Sequence, residues 1–320
     1  MPSRSARADV ARGGIPASPL PPRYGVDAQR FRMPQSGPWA TLRDHLVQRL
    51  ATGLTAAEVD AMLVAGAFVD AAGDPVAADA PFVPRSVVWA HRDLPVEVPL
   101  PFELNVRHRD ERLVVVDKPH FLATMPRGDH VVNSALARAR VLTGIPALAP
   151  AHRLDRPTAG LLLFTTEQRW RGAYQTLFAR GLVHKEYLAV APVRSDLELP
   201  LVRHTRLAKE HGVHQAFEVA GEPNAETLIE LIAHEGDRGL YRLTPRTGRT
   251  HQLRCQLNGL GIPIEGDALY PSEIDVAPDD FTRPLQLLAA VLEFDDPVDG
   301  TRRRFETHRT LAAWPTHTAD

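Results

Sequence analysis

The stretch His152–Asp155 is followed directly by Arg156, so that one carboxylate, Asp155, stands between two guanidinium groups. Gly160 marks a turn shortly after it, and the apolar run Leu161–Phe164 predicts a strand inside a sheet. Asp155 is therefore expected on a loop held by a rigid strand, where catalytic groups concentrate. A carboxylate there could act as a nucleophile. The alternative is a salt-bridge cluster of Asp155 with its flanking arginines, and these residues alone leave both open.

A second candidate group lies on the helix predicted after Gly248. His251, Arg254 and Asn258 are spaced at i, i+3 and i+7, so they share one face of that helix. An ionised carboxylate in a dry site needs a charge partner. We expect Arg254 to form a bidentate pair with Asp155 and to keep it ionised at neutral pH. The alternative is that the arginines only bind carbonyl groups of the sheet.

Tyr187 offers an aromatic face on a predicted strand. Val183, Lys185, Tyr187 and Ala189 alternate along this strand and share one side of it. A tyrosine ring can stack on a nucleic-acid base, and its hydroxyl can take part in proton transfer. The alternative for a strand tyrosine is simple packing.

The elements that must hold these residues indicate an α+β fold. Residues 113–116 and 161–164 predict buried strands, and residues 225–233 and 239–244 predict a hairpin. The apolar spacing over 170–178 predicts a helical face that packs in the core. The expected architecture is a mixed, largely antiparallel sheet with flanking helices.

The N-terminal third of the chain has a different character. Residues 1–36 are rich in Pro, Arg, Gly, Ala and Ser without periodicity, and we predict a flexible tail. Residues 37–98 predict a small α/β module in which two short helices precede a strand and a turn. This pattern resembles the small RNA-binding module first seen in a small-subunit ribosomal protein, although it is acidic and thus a degenerate copy. Residues 99–320 then form the catalytic domain.

Composition excludes several classes of protein. A net charge of -2 and 44% hydrophobic residues are ordinary for a soluble globular protein, but residues 241–254 carry four arginines and no acid, a local footprint for a phosphate-bearing partner. The single cysteine, Cys255, excludes an intramolecular disulfide and fits a reducing cytosol. No run is long and apolar enough to predict a membrane span, and there is no secretory signal. Phosphate-loop, dinucleotide and zinc-hydrolase motifs are missing from the sequence.

Three stretches in a fixed order resemble the RluA-type pseudouridine synthases. They are residues 113–126, residues 152–164, and residues 246–254 continuing through 261–270. Residues 185–189 supply the strand tyrosine of that family between the second and third stretches. The resemblance covers roughly residues 100–310. Two departures are Ala289, where the family usually has His, and Ala159, where Ser is common.

The resemblance implies the family's fold and activity, which is isomerisation of uridine in ribosomal or transfer RNA. It implies that Asp155 is the catalytic aspartate, that Arg254 is its ion-pair partner and that Tyr187 stacks on the target uracil. The substrate-binding residues it implies are Arg153, His152, Arg249, His251 and Leu288. No cofactor or metal is expected, RNA is the expected partner, and a cytoplasmic monomer is the expected form.

Two other functions stay open on the sequence alone. One is a non-catalytic RNA-binding or ribosome-assembly protein that keeps the same fold. The other is a hydrolase that uses Asp155 on a small glycoside, although the second carboxylate that such chemistry needs is missing.

Overall fold

The computed structural model describes residues 18–94 and 96–314. The chain divides into two compact units, an N-terminal unit that ends at Pro95 and a C-terminal unit that begins at Val96. Within the described ranges, no helix has the length and apolar content needed to cross a membrane.

The N-terminal unit contains two strands, β1 (Gln29–Arg32) and β2 (Val87–Ala90), which pair antiparallel. Two helices, α1 (Leu42–Leu50) and α2 (Ala56–Val64), pack with them around one apolar core. Each helix begins with a threonine in a capping box, so that two of the free N–H groups at each helix start have partners. Both helices agree with the two short helices predicted within residues 37–98.

The prediction of a flexible tail over residues 1–36 is wrong for the last part of that range. Residues 1–17 lie outside the described part of the chain, but β1 falls within the predicted tail. Phe31 and Met33 are only 3% and 1% exposed and belong to the core of the N-terminal unit. A strand of four residues is too short to show a periodicity that sequence reasoning can detect.

The C-terminal unit is built on one sheet of eleven strands with three helices. The strands are β3 (Asn105–Arg109), β4 (Leu113–Lys118), β5 (Ala149–Pro150), β6 (Ala159–Thr165), β7 (His184–Pro192), β8 (Leu201–Ala208), β9 (Phe217–Val219), β10 (Ala225–Glu235), β11 (Arg238–Pro245), β12 (Leu287–Asp295) and β13 (Arg302–Glu306). The helices are α3 (Ala135–Thr143), α4 (Gln168–Ala179) and α5 (Gln252–Gly259).

The strand order is β3-β4-β6-β12-β7-β11-β10-β8-β9, with β13 beside β12 and β5 beside β6. Only the pairing of β6 with β12 is parallel, and the other pairings between these strands are antiparallel. The predicted mixed, largely antiparallel α+β sheet is therefore confirmed. The predicted hairpin is β10 and β11, and the predicted apolar helical face is that of α4, which packs through Tyr174 and Leu177.

The parallel contact of β6 with β12 fixes where the Asp155 loop enters the sheet. Gly160 is paired with Ala289 and has a positive φ of 108°. A Cβ atom at this position would lie 2.2 Å from the carbonyl oxygen of Ala289. Only glycine combines this backbone conformation with so close an approach of the two strands. The start of β6, directly after Asp155, is thus held firmly against β12.

Candidate active site

The loop that carries Asp155 connects β5 to β6 and is anchored by side chains from the segment after β4. The Thr124 hydroxyl accepts a hydrogen bond from the N–H of Leu154 at 3.1 Å and donates one to the Leu154 carbonyl at 2.7 Å. The N–H of Thr158 donates to the Asp155 carbonyl at 3.1 Å and closes the turn. The backbone on both sides of Asp155 is therefore held in one conformation.

Two further groups from the same segment support this loop. The buried Lys118 ammonium donates to the carbonyl of Arg156 at 3.2 Å and to those of Pro119 and Leu122. The His120 ring donates through Nδ1 to the carbonyl of Pro157 at 2.7 Å, because a carbonyl can only accept. Burial lowers the pKa of Lys118 to about 7 and that of His120 to about 4.

Arg254 projects from α5 toward the same loop and is almost fully buried, with 2% of its surface exposed. Its Nε and Nη2 atoms donate to the two carboxylate oxygens of Asp267 at 2.7 and 2.6 Å. Its remaining nitrogen, Nη1, lies 3.6 Å from Oδ2 of Asp155. Burial alone would lower the pKa of Arg254, but its hydrogen bonds with Asp267 and the charges of Asp267 and Asp155 raise it. The guanidinium group thus stays charged between two carboxylates.

The predicted bidentate pair between Arg254 and Asp155 is therefore wrong, because the bidentate partner of Arg254 is Asp267. Asp267 is 7% exposed and takes the two-pronged contact, whereas the Asp155 side chain is 22% exposed and receives only the third nitrogen. A bidentate contact in a dry place satisfies both buried ions at once. Asp155 in turn keeps an open side that faces the cleft.

The ring of Tyr270 covers another side of Arg254. The guanidinium carbon lies 5.4 Å from the ring centroid, within the range of a cation–π contact. The Tyr270 hydroxyl accepts from the N–H of Ala216 at 2.7 Å and donates to the carbonyl of the same residue at 2.9 Å. Asp267 and Tyr270 together hold Arg254 in one orientation.

Tyr187 lies on β7 and reaches the same region from the sheet. Its ring packs against two apolar clusters, and its side chain lines a cleft together with Lys185. Burial, reinforced by the negative charge of Asp155, raises the pKa of Tyr187, so the phenol stays neutral. The Lys185 ammonium donates to the carbonyl of Thr247 at 3.0 Å, and burial lowers its pKa to about 8.

One cleft of about 130 Å³ brings most of the predicted site residues together. Its lining includes Asp155, Tyr187, Arg254, Arg153, Arg249 and His251. The loop before β6, the strand β7 and the start of α5 therefore converge there, as the sequence predicts. Among residues 18–94 and 96–314, no group of three or more His, Cys, Asp and Glu side chains is placed to hold a metal ion.

Comparison with known proteins identifies the family to which this chain belongs. Residues 112–259 match the family model for RNA pseudouridylate synthase. The dual-specificity RNA pseudouridine synthase RluA of Vibrio cholerae is 32% identical over 199 residues, which cover 61% of this chain and 78% of that protein. The chain belongs to the RluA-type RNA pseudouridine synthase family. Its members are isomerases that convert uridine to pseudouridine in RNA.

Other relatives agree with this assignment. An uncharacterized RNA pseudouridine synthase of Synechocystis is 33% identical over 179 residues, which cover 55% of this chain and 61% of that protein. The ribosomal large subunit pseudouridine synthase D of Pseudomonas aeruginosa is 28% identical over 223 residues, which cover 64% of this chain and 68% of that protein. The solved structure of human RNA pseudouridylate synthase domain containing 1 shares the fold, with a TM-score of 0.54, 23% identity and coverage of 70% of this chain and 92% of that one.

Two predicted substrate-binding residues of this synthase lie elsewhere. The ring of His152 stacks on Phe178 at 4.2 Å, and its Nε2 accepts from the N–H of Leu163 at 3.1 Å. Burial lowers the pKa of His152 to about 3. Leu288 is fully buried in the apolar cluster that includes Val190 and Leu240. Its neighbour Leu287 lines the cleft instead. Both predictions are corrected: His152 supports the fold beside β6, and Leu288 points to the opposite face of β12.

The arginines around the site differ in their partners. Neither Arg153 nor Arg156 makes an ion pair with a carboxylate of the described residues, so the proposed salt-bridge cluster around Asp155 does not form. In the basic stretch after residue 240, Arg242 lies 3.6 Å from Glu186 and Arg246 lies 3.3 Å from Glu226. The Arg249 side chain donates to the carbonyl of Asn224, at 3.0 Å, and has no acidic partner in the described chain. The positive charge left uncompensated therefore lies beside the cleft.

Sequence reasoning missed several residues that build the site. Asp267 and Tyr270 lie in the third family stretch, but no role is predicted from the sequence for them or for Lys118. Lys118 could have been found from its position, since a lysine at the end of a buried strand must either reach solvent or find buried acceptors. Asp267 carries no comparable signal, because it lies in an irregular segment 13 residues after Arg254.

Proposed function

We propose that Asp155 is the catalytic carboxylate of this synthase, with Arg254 as its charge partner and Tyr187 as the ring that meets the target uracil. One observation carries the proposal: the Asp155 carboxylate has an open side in a cleft, and the third nitrogen of a buried, fixed guanidinium lies 3.6 Å behind it. The fixed positive charge of the guanidinium attracts the carboxylate and helps to hold it in place. An anionic carboxylate is what attack on a sugar, or stabilisation of a cleaved sugar, requires.

The reaction needs no oxidant or external group. It breaks the bond between uracil N1 and the sugar C1′ and forms a bond between C5 and C1′, while C5 loses a proton and N1 gains one. The atoms and electrons of substrate and product are the same. The protein must therefore supply a charge near C1′, a surface on which the base can turn, and a route for one proton.

The target nucleotide must leave its stack to reach the cleft. Base flipping is the general solution for enzymes that act on a nucleotide within folded nucleic acid, and it costs a few kcal/mol. Arg153 and Arg249, which have no acidic partner among the described residues, lie at the cleft and can neutralise phosphates on either side of the flipped nucleotide. His251 lines the same cleft, where the substrate nucleotide would enter.

We infer that the substrate is ribosomal or transfer RNA and that the protein acts as a cytoplasmic monomer. Two relatives support the RNA class: one is a dual-specificity RNA pseudouridine synthase and another is a ribosomal large subunit pseudouridine synthase. The N-terminal unit fits a degenerate RNA-binding module. Although residues 37–98 carry more acidic than basic side chains, Arg32, Arg49 and Arg85 line a surface cleft of that unit in which no acidic residue takes part.

The test uses bulk RNA that carries tritium at uracil C5. The wild-type protein releases tritium to water, since C5 loses its hydrogen in every turnover, and Asp155→Asn releases none above background. Pseudouridine mapping in RNA from cells with and without the gene then names the substrate and position. No release by the wild-type protein on any RNA class would instead support a binding protein that keeps the fold.

A further inference from the structure

The hydrogen bonds of Tyr270 determine which nitrogen of His251 carries a proton. A tyrosine hydroxyl has one hydrogen, and that of Tyr270 is directed to the carbonyl of Ala216, which can only accept, at 2.9 Å. Toward other neighbours the oxygen can therefore only accept, as it does from the N–H of Ala216 at 2.7 Å. Nδ1 of His251 lies 3.3 Å from the same oxygen, so it must be the donor. In a neutral imidazole, Nε2 then has a free lone pair.

That lone pair faces the reaction site. Nε2 lies 3.9 Å from Oδ2 of Asp155, too far for a direct hydrogen bond, and the His251 side chain lines the cleft with 13% of its surface exposed. The residue directly precedes α5 and has a positive φ of 55°. Two groups that can only accept hydrogen bonds, Nε2 and the Asp155 carboxylate, thus face the same space. Such a pair is suited to a substrate that brings a proton.

Burial favours the neutral form of the ring in the free enzyme. Burial lowers the pKa of His251, and the cations of Arg254 and Lys209 lower it further. The carboxylates of Asp155 and Asp267 oppose this effect. A proton that reaches Nε2 would be stabilised by the facing Asp155 carboxylate, while Nδ1 keeps its donor role to Tyr270.

The other polar groups of the cleft are poor acceptors for a carbon-bound proton. Tyr187 remains a phenol that carries its own proton and must lose that proton before it can act as a base. Lys185 uses its amine to hold the Thr247 carbonyl. Asp155 acts at C1′ in the proposed function, and once the C5–C1′ bond has formed its carboxylate faces Nε2 and stabilises the imidazolium that forms there. Of these cleft groups, His251 remains as the neutral base.

We propose that His251 is a catalytic residue whose Nε2 accepts the proton from C5 once uracil has rejoined the sugar through that carbon. The inference rests on the proposed function of Asp155. In this step the C5–H bond breaks, its electron pair restores the double bond of the uracil ring, and the proton adds to Nε2. The imidazolium that results faces Asp155 and returns to neutrality by giving the proton to solvent or to N1.

The test compares His251→Gln with the wild-type enzyme on two forms of one substrate RNA, carrying uridine or 5-fluorouridine at the target. With fluorine at C5 no proton leaves that carbon, so the base is not needed and the reaction ends at the C5-linked product. We expect His251→Gln to slow pseudouridine formation on the uridine RNA by about 100-fold or more. Its rate of rearranging the fluorinated RNA should remain that of the wild type. Deuterium at C5 should slow the variant on the uridine RNA more than it slows the wild type.

Equal losses on the two RNAs would overturn the proposal, because they would mean that His251 only binds or positions the nucleotide. Full activity of His251→Gln on uridine RNA would overturn it as well. Tyr270→Phe is the second variant: it keeps the imidazole but removes the oxygen that fixes its tautomer, and it should show a smaller loss confined to the uridine RNA. Failure of the proposed function itself looks different, since Asp155→Asn would then still rearrange the fluorinated RNA.

Discussion

Two buried cations near Asp155, Lys118 and Arg254, have different partners in the fold. Lys118 is fully buried and has only carbonyl oxygens as hydrogen-bond partners, and burial lowers its pKa to about 7. Arg254 is nearly as buried but has a complete carboxylate partner in Asp267, and its pKa is raised. The negative charge of Asp155 acts to raise the pKa of both side chains.

This difference separates two tasks that a cation can perform beside an active-site acid. Lys118 donates hydrogen bonds to three backbone carbonyls and so holds the loop backbone in place. This task needs hydrogen bonds more than charge. Arg254 keeps its charge at every accessible pH and directs one nitrogen at Asp155, a task that needs a fixed and permanently ionised group. The predictions below test whether these tasks are as distinct as the contacts indicate.

The largest effect is expected at Arg254. Arg254→Met removes the cation from between two acids, leaves Asp267 buried and unpaired, and should lower the free energy of unfolding by about 3–5 kcal/mol. Activity should fall by a factor on the order of 10²–10³, because the site loses the fixed positive charge beside the Asp155 carboxylate. Urea unfolding and tritium release measure the two losses. Arg254→Lys is the control: it keeps the charge but not the two-pronged contact, so it should be intermediate in both.

Asp267→Asn should have the next largest effect. The amide keeps the shape but can accept through only one atom, so Arg254 loses half of its bidentate contact and is free to turn toward Asp155. We expect a loss of roughly 1–3 kcal/mol in the free energy of unfolding and a clear drop in turnover with little change in RNA affinity. A variant with wild-type turnover would show that Asp155 alone orients Arg254.

The prediction at Lys118 concerns pH. Its pKa is about 7 in the folded protein and about 10.5 when unfolded, so between these values the unfolded chain binds more protons and stability rises with pH. The rise amounts to at most about 1.4 kcal/mol per pH unit. Lys118→Met lacks this contribution, so the stability of the wild type relative to the variant should increase from pH 7 to pH 9. Urea unfolding at both pH values measures this difference, and the exposed Lys209→Met is the control. A difference that stays constant would mean that Lys118 remains charged in the fold.

The smallest effect on turnover is expected from the arginines without acidic partners. Arg153→Gln and Arg249→Gln should each weaken RNA binding and lower the slope of log affinity against log salt concentration by about 0.7–0.9, as expected for one lost phosphate contact. Arg246→Gln is the matched control, because Arg246 already has Glu226 as a partner. Saturating RNA should restore most of the turnover. If the salt slope of Arg249→Gln equals that of Arg246→Gln, Arg249 does not contact phosphate.

The sequence predicted those parts of the molecule that have a period or a local signature. The apolar spacing of α4 and the hairpin of β10 and β11 are of this kind, and so is the loop position of Asp155. The sequence does not show which side chains of β12 point toward the cleft. Leu287–Val291 is apolar and buried on both sides of the sheet, so it shows no alternation of polar and apolar residues. The partner of Arg254 could not be predicted either, since Asp267 and Asp155 are both acids on irregular segments and only the fold decides which of them is buried.

The central claim is that the Asp155 carboxylate performs the chemistry while other groups hold it and the RNA. The most direct measurement is a single-turnover reaction of Asp155→Asn with the mapped RNA, alongside the equilibrium affinity of that variant for the same RNA. The account predicts no pseudouridine after a time in which the wild type converts all of its substrate, with an affinity close to that of the wild type. Pseudouridine formation by Asp155→Asn at a rate near that of the wild type would contradict it.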